Sequence, residues 1–143
     1  MIEPQIHIDE TKTENELATE THGMEEEDLT FKIRGCVYEV FRVLGAGFLE
    51  QVYQKALLHE LDLEGLRADG QRALEVTYKG TPVGMYVADI LVEDRVVVEL
   101  KAVESLTKAH EAQLFNHLKA SGKRVGILVN FTHPKAEIRR FVL

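Results

Sequence analysis

The chain has 143 residues and a formal net charge of −7, and 45% of its residues are hydrophobic. That length suits one domain with a sizeable core, and no run of about 18 apolar residues exists from which a membrane-spanning helix could be built. A single cysteine, Cys36, excludes an internal disulfide and any zinc or iron–sulfur centre made of several thiolates, which points to a reducing, cytoplasmic setting.

The charge is unevenly placed. Residues 1–28 hold ten acids and one lysine, whereas residues 29–143 hold fourteen acids and sixteen Lys or Arg. The acidity therefore belongs to the leading segment, and the mildly basic remainder leaves a nucleic-acid partner open. Residues 1–24, polar and poor in aromatics, read as a disordered acidic tail, and residues 25–143 as one folded domain. The opening stretch has neither a basic start nor an apolar block, so no secretory leader is expected there.

In chain order, Glu25 to Asp28 would sit at a helix N-terminus, facing the positive end of the dipole. Leu29, Ile33, Val37, Val40 and Leu44 then recur at helical spacing, predicting a helix over about 26–44 that "GAG" at 45–47 stops. A second helix is expected over about 48–64, with Val52, Ala56, Leu57 and Leu61 facing the core and Gly65 closing it. Cys36 falls inside the first helix and reads as a small core residue.

The period then changes. Residues 72–103 are rich in β-branched and aromatic residues, with turn signals at Lys79-Gly80 and Glu93-Asp94-Arg95. Strands are expected at about 72–79, 83–92 and 96–102. A third helix over about 107–121 packs through Ala109, Ala112, Leu114, Phe115 and Leu118, and "RVGILVNF" has the continuous apolar character of an interior strand. The terminal "AEIRRFVL" fits either a closing strand or a short helix. This order predicts an α/β fold: a mixed central sheet, flanked by helices, in which an antiparallel meander is followed by a helical crossover to the final interior strand.

One strand carries opposite charges into an apolar run. In "VVVELKAVES", Val97, Glu99 and Lys101 alternate onto one face, and a solvated, salt-bridged face is the ordinary explanation of such a pattern. If the two preceding strands form a hairpin with loop residues 93–95, Asp89 lies directly opposite Glu99 on the same face. A two-residue loop would instead turn Asp89 to the other side. Like charges directly opposite one another destabilise a sheet, so facing carboxylates call for a cation, and a hard divalent ion such as Mg²⁺ or Mn²⁺ prefers oxygen ligands. Lys101 beside such an ion could hold a water, share its proton or neutralise a phosphate. Together these parts describe metal-assisted attack of water on a phosphodiester.

The segment "LGAGFLEQVYQKAL" contains Gly47-x-x-Glu50-x-x-Tyr53. With "VADILVEDRVVVELKAV", "HEAQLFNHLKASGKRVGILVNF" and "IRRFVL" following in order, the chain from about residue 28 onward resembles the small GxxExxY proteins. These are assigned to the PD-(D/E)XK nuclease superfamily. The resemblance implies a restriction-endonuclease-like core and a nuclease dependent on Mg²⁺ or Mn²⁺, acting on DNA or RNA and working as a homodimer in many small relatives. It implies metal ligands at Asp89 and Glu99, a further acid at Glu50, the backbone carbonyl of Leu100 as another ligand, and Lys101 as the catalytic lysine. Gln113 is implied to position substrate, and Tyr53, which shares a helical face with Glu50, and His117 are expected to take part in that positioning.

Two positions depart from the family pattern. Relatives often carry Gln-x-x-x-Tyr on the third helix, where this chain has Gln113 and His117; an imidazole there could stack on a base or donate to phosphate. Phe41 stands where relatives often hold a His, and we have no physical account of that change. His110, Gln113 and His117 form one stripe at spacings of three and four, as a polar helix face or as ligands of a transition metal. The basic residues Lys108, Lys119, Lys123 and Arg124 could meet a phosphate backbone. A second class of function also fits, a catalytically silent module of the same fold that binds nucleic acid or a protein partner.

Overall fold

Helical spacing of apolar residues gives way to strand spacing after residue 65, and the structure follows that change. The computed structural model describes residues 21–143, with side chains from residue 26 onward. Residues 1–20 of the expected tail lie outside the described residues. Helix α1 spans Thr21–Leu44 and α2 Glu50–Leu63. Strands β1 (Ala68–Tyr78), β2 (Thr81–Val92) and β3 (Val96–Lys101) follow, then α3 (Lys108–Ser121), β4 (Val125–Asn130) and β5 (Glu137–Val142). The first helix starts about five residues earlier than its pattern predicts, so Glu25 to Asp28 lie within it instead of capping it. The ambiguous C-terminal segment is a strand.

The five strands lie side by side in chain order. β1, β2 and β3 form the antiparallel meander, β3 and β4 are parallel, and β5 returns antiparallel to β4. A parallel neighbour needs a crossover, and α3 supplies it. Helices α1 and α2 cover one face of the sheet: Leu29, Ile33, Val37 and Val40 with Tyr53, Leu57 and Leu61 pack on Val96, Val98, Leu100, Ile127 and Val129. Helix α3 covers the other, where Leu114, Phe115 and Leu118 meet Leu74, Ala88, Val97, Leu128 and Phe141. Every residue of β4 is buried, as its uninterrupted apolar run requires for a strand covered on both sides.

Two close fits hold these layers. Gly45 and Gly47 adopt φ of 69° and 106°, a region costly for any side chain, and so turn α1 into α2. On the other face, a Cβ built on Gly126 would lie 2.7 Å from Leu114 Cδ1 and 3.1 Å from its Cγ, while Leu114 is fully buried and cannot swing away. Gly126→Ala is therefore expected to cost about 1–3 kcal/mol through overpacking, seen as a lower urea midpoint at unchanged m-value.

The hairpin between β2 and β3 has the expected three-residue connection, with Ile90↔Val98, Leu91↔Val97 and Val92↔Val96 paired. Glycine is absent because Glu93 and Asp94 take the left-handed conformation themselves, at φ of 53° and 55°.

Candidate active site

The β2–β3 ladder ends one pair before Asp89 would meet Glu99, and this gap builds the site. On the other side of β2, pairing with β1 passes from Gly70↔Ile90 to Arg72↔Ala88, omitting Gln71, whose φ is 53°. Strand alternation breaks there as well: Ile90 and Val92 pack with α1 and α2, whereas Ala88 packs with α3. A buried carbonyl without a ladder partner needs another donor, and Gln54 Nε2 of α2 donates to the Asp89 carbonyl at 2.9 Å. The Leu100 N–H is satisfied by the Asp89 side chain, Oδ2 accepting at 2.7 Å. Asp89 thus fills the broken ladder slot with its own carboxylate.

A cavity of about 390 Å³ opens at this break, lined by Glu50, Gln54, Gln71, Asp89 and Leu100 among others. Glu50 is the first residue of α2, where its charge faces the positive end of the dipole. Burial, and then the charge of Asp89, push the Glu50 carboxyl above the usual carboxylate range, while Lys101 pulls it back. Two carboxylates therefore crowd one open cavity.

Glu99 and Lys101 leave β3 on the opposite face, towards α3. Lys101 Nζ donates to Gln113 Oε1 at 2.9 Å. Glu99 is 2% exposed and its Oε2 is hydrogen-bonded to Nδ1 of His117, whose ring is also 2% exposed and carries Tyr86 at a centroid separation of 5.0 Å. The expectation that Asp89 and Glu99 face one another on one side of the sheet is thus corrected, because the alternation of β2 is interrupted at Asp89. The charges still act on one another: Asp89 raises both Glu50 and Glu99, and Lys101 lowers both.

Two residues expected to position substrate are placed elsewhere. Tyr53 is fully buried, stacked on Phe131 at 4.2 Å, with its hydroxyl donating to the Gly45 carbonyl at 2.6 Å and accepting from Phe48 N at 3.2 Å. It locks the glycine turn that sets Glu50 in place. His117 is covered by Tyr86 and engaged by Glu99. Within the His110, Gln113 and His117 stripe, His110 serves α3 as a cap: its Nδ1 accepts from Thr107 N at 3.0 Å while Thr107 Oγ1 accepts from His110 N at 3.3 Å. Of the basic residues, Lys123 lies 3.4 Å from Asp94.

Sequence reasoning missed Gln54 and Gln71. Gln54 sits on the buried stripe of α2 between Tyr53 and Leu57, and a polar residue in an apolar stripe was the signal available. Gln71 had none, since its left-handed backbone follows from tertiary pairing.

Burial pushes the Glu99 carboxyl up to about 7, although the hydrogen bond from His117 opposes the rise. The unfolded chain releases this proton near 4.5 and the fold near 7, so the fold holds the extra proton between them. The stability from this group is full below the lower value and declines as pH rises to the upper one. Urea unfolding of the metal-free protein between about pH 5 and 8 should show that decline, and Glu99→Gln should flatten it.

The comparisons with known proteins bear on what such a site is for. A family model described as "PD-(D/E)XK nuclease superfamily" matches residues 27–141. The chain belongs to the PD-(D/E)XK nuclease superfamily. None of the curated proteins matches it. Among solved structures, that of SSO0001 is similar at 18% identity and a TM-score of 0.49, over 64% of this chain and 48% of that one. The chain thus spans about half the length of SSO0001. The alkaline exonuclease LHK-Exo from Laribacter hongkongensis is similar at 13% identity and a TM-score of 0.47, over 76% of this chain and 68% of that one. For this PD-(D/E)XK chain, the three helices and the mixed five-stranded sheet among the described residues make up a restriction-endonuclease-like core. Among the described residues no helix is long and apolar enough to cross a membrane.

The donor chemistry suits a hard divalent cation: Glu50 and Asp89 share the cavity with Leu100, and their mutual repulsion is what a cation would relieve. Among the described residues, however, no group of three His, Cys, Asp or Glu is already gathered in ligand geometry, because Glu99 is drawn into the α3 layer.

Proposed function

We propose that this member of the superfamily is a nuclease of the GxxExxY type, hydrolysing phosphodiester bonds of DNA or RNA with Mg²⁺ or Mn²⁺. The observation that carries the reading is the cavity at the broken β2 slot, where Glu50 and Asp89 stand beside Leu100 within electrostatic reach of Lys101.

Asp89, Glu50 and the Leu100 carbonyl, which border one cavity, would hold the cation, and Glu99 would join them on release from His117. When bound, it supplies positive charge to the phosphodiester and lowers the pKa of water. The protein's own groups do the rest. Asp89 is immobilised by the Leu100 N–H, so its other oxygen is presented to the cavity without reorganisation. Gln113 accepts from Lys101 Nζ, and in this reading the ammonium donates to a phosphate oxygen or orients an incoming water. A cytoplasmic location belongs to this reading and rests on the lone, buried thiol of Cys36, which burial pushes up to about 11.

The test is hydrolysis of single- and double-stranded DNA and RNA in Mg²⁺ or Mn²⁺. Cleavage that depends on the metal supports the reading, and none with any substrate removes it. The confinement of Glu99 by His117 favours a second reading, a silent nuclease-fold module that binds nucleic acid or a protein partner. Affinity for nucleic acid that is indifferent to millimolar metal, without cleavage, would select it.

A further inference from the structure

Strand alternation puts Leu74, Tyr86 and Ala88 of the β1–β2 hairpin on the α3 side of the sheet. Towards its tip the hairpin is exposed, from residue 77 to 87, and its pairing breaks a second time. It passes from Val76↔Gly84 to Thr77↔Pro82 and leaves Val83 out. A bulge of this kind increases the local twist and re-aims side chains. Beside it a second cavity, of about 400 Å³, opens between the hairpin and α3.

The walls of this cavity combine one ring with several polar groups. Tyr86 leans on the His117 imidazole at a centroid separation of 5.0 Å and an angle of 47°. The tyrosine nevertheless stays 41% exposed and borders the cavity, with Glu75, Thr77, Asn116 and Lys119 around it. Among the described residues, none of those four side chains has a hydrogen-bond or ion-pair partner. An aromatic wall with a few convergent polar groups is how ligand sites are built. The lining also selects the ligand. Glu75 disfavours an anion inside, so the occupant is a neutral group that stacks on the ring and shares hydrogen bonds with an amide and a carboxylate. A nucleobase meets these conditions, and Lys119 suits the phosphate attached to it.

The cavity is also in line with the candidate active site. Gln113, which accepts from Lys101, lies on one face of α3 with Asn116 and Ala120, at spacings of three and four. Asn116 and Ala120 both line the cavity. Seven residues of helix advance about 10 Å, a distance that about three nucleotides of a strand cover.

We propose that this cavity is a base-binding subsite for single-stranded nucleic acid. Tyr86 stacks on an unpaired base, Asn116 and Glu75 meet its edge, and Lys119 meets its phosphate, about three nucleotides from the phosphate at Lys101. The inference rests on the nuclease reading above and deepens it by naming the substrate as single-stranded, since a base held in a duplex has to unpair before it can enter a cavity.

Fluorescence anisotropy in EDTA, with labelled short oligodeoxynucleotides, reads the subsite without cation or cleavage. The probes are a single strand, its duplex, and an abasic strand of the same length. Wild type should bind the single strand more tightly than the abasic one. Tyr86→Leu keeps an apolar cover on His117 but has no ring face. It should weaken the single strand about five- to hundredfold, the size of one base–aromatic stack, and leave the duplex and the abasic strand unchanged. Tyr86→Phe should stay within about twofold of wild type. Lys119→Ala should weaken the single and abasic strands alike and reduce the slope of log affinity against log salt by about 0.7. Each variant is checked by its melting curve. Should Tyr86→Leu fail to fold, the abasic comparison on wild type decides. Equal affinity of wild type for the single and abasic strands, no binding of the single strand at low salt, or a folded Tyr86→Leu that binds it normally or loses the duplex equally overturns the subsite. Metal-dependent cleavage judges the nuclease reading separately: cleavage with binding indifferent to Tyr86 removes the subsite alone, and Tyr86-dependent binding without cleavage removes the nuclease reading alone.

Discussion

Asp89→Asn is expected to lower hydrolysis by roughly 10²–10³-fold or more while leaving the fold intact. The asymmetry comes from what each half of the carboxylate does. Asparagine keeps an oxygen that can accept from the Leu100 N–H, so the broken slot between β2 and β3 remains filled. What it loses is the charge that the cavity shares with Glu50. Lys101→Ala should cause a loss of similar size for a different reason, since Lys101 moderates the carboxylates and has no structural duty beyond Gln113. Initial rates on a labelled oligonucleotide, with a melting curve for each variant, separate lost chemistry from lost fold. Full activity in either variant would remove that residue from the catalytic assignment.

Tyr53 should behave in the opposite way. Removing a large buried ring costs about 3–5 kcal/mol, so Tyr53→Ala is expected to unfold at markedly lower denaturant or not to accumulate as a folded protein. Tyr53→Phe is the sharper variant. It keeps the stack on Phe131 but leaves the Gly45 carbonyl and the Phe48 N–H without their partner, at a cost of about 1–3 kcal/mol. A residue that touched substrate would show its loss chiefly in KM. Tyr53, fully buried behind the turn, should show it in stability, with kinetic parameters at low temperature close to wild type.

The element types were legible in the sequence because each rests on a local period. Leu29, Ile33, Val37 and Val40 repeat every three or four residues and are buried in α1, and the apolar run of β4 is an interior strand. Local patterns misled where a buried polar group displaced an apolar one. Val52, expected in the core, is 36% exposed, while Tyr53 and Gln54 beside it are buried. Likewise Ala109 and Ala112 of α3 face outward, and His117 takes the buried place. Such exchanges depend on a partner far along the chain: the Asp89 carbonyl for Gln54, and Glu99 for His117.

The sequence by itself determined the order of elements up to β4, the position of the turn after β2 and the charged residues around which a site could form. These follow from side-chain periodicity and backbone preference, which act between near neighbours. The register of that turn and the strand character of the last segment came from the structure. Tertiary structure alone decided which of those residues share a space. It placed Glu50 beside Asp89, sent Glu99 and Lys101 towards α3, and assigned Tyr53 and His110 to holding the scaffold. The physical reason is the interruption at Asp89: one residue out of register reverses the face of a strand, and only the packing of α2 against β2 fixes where that interruption falls.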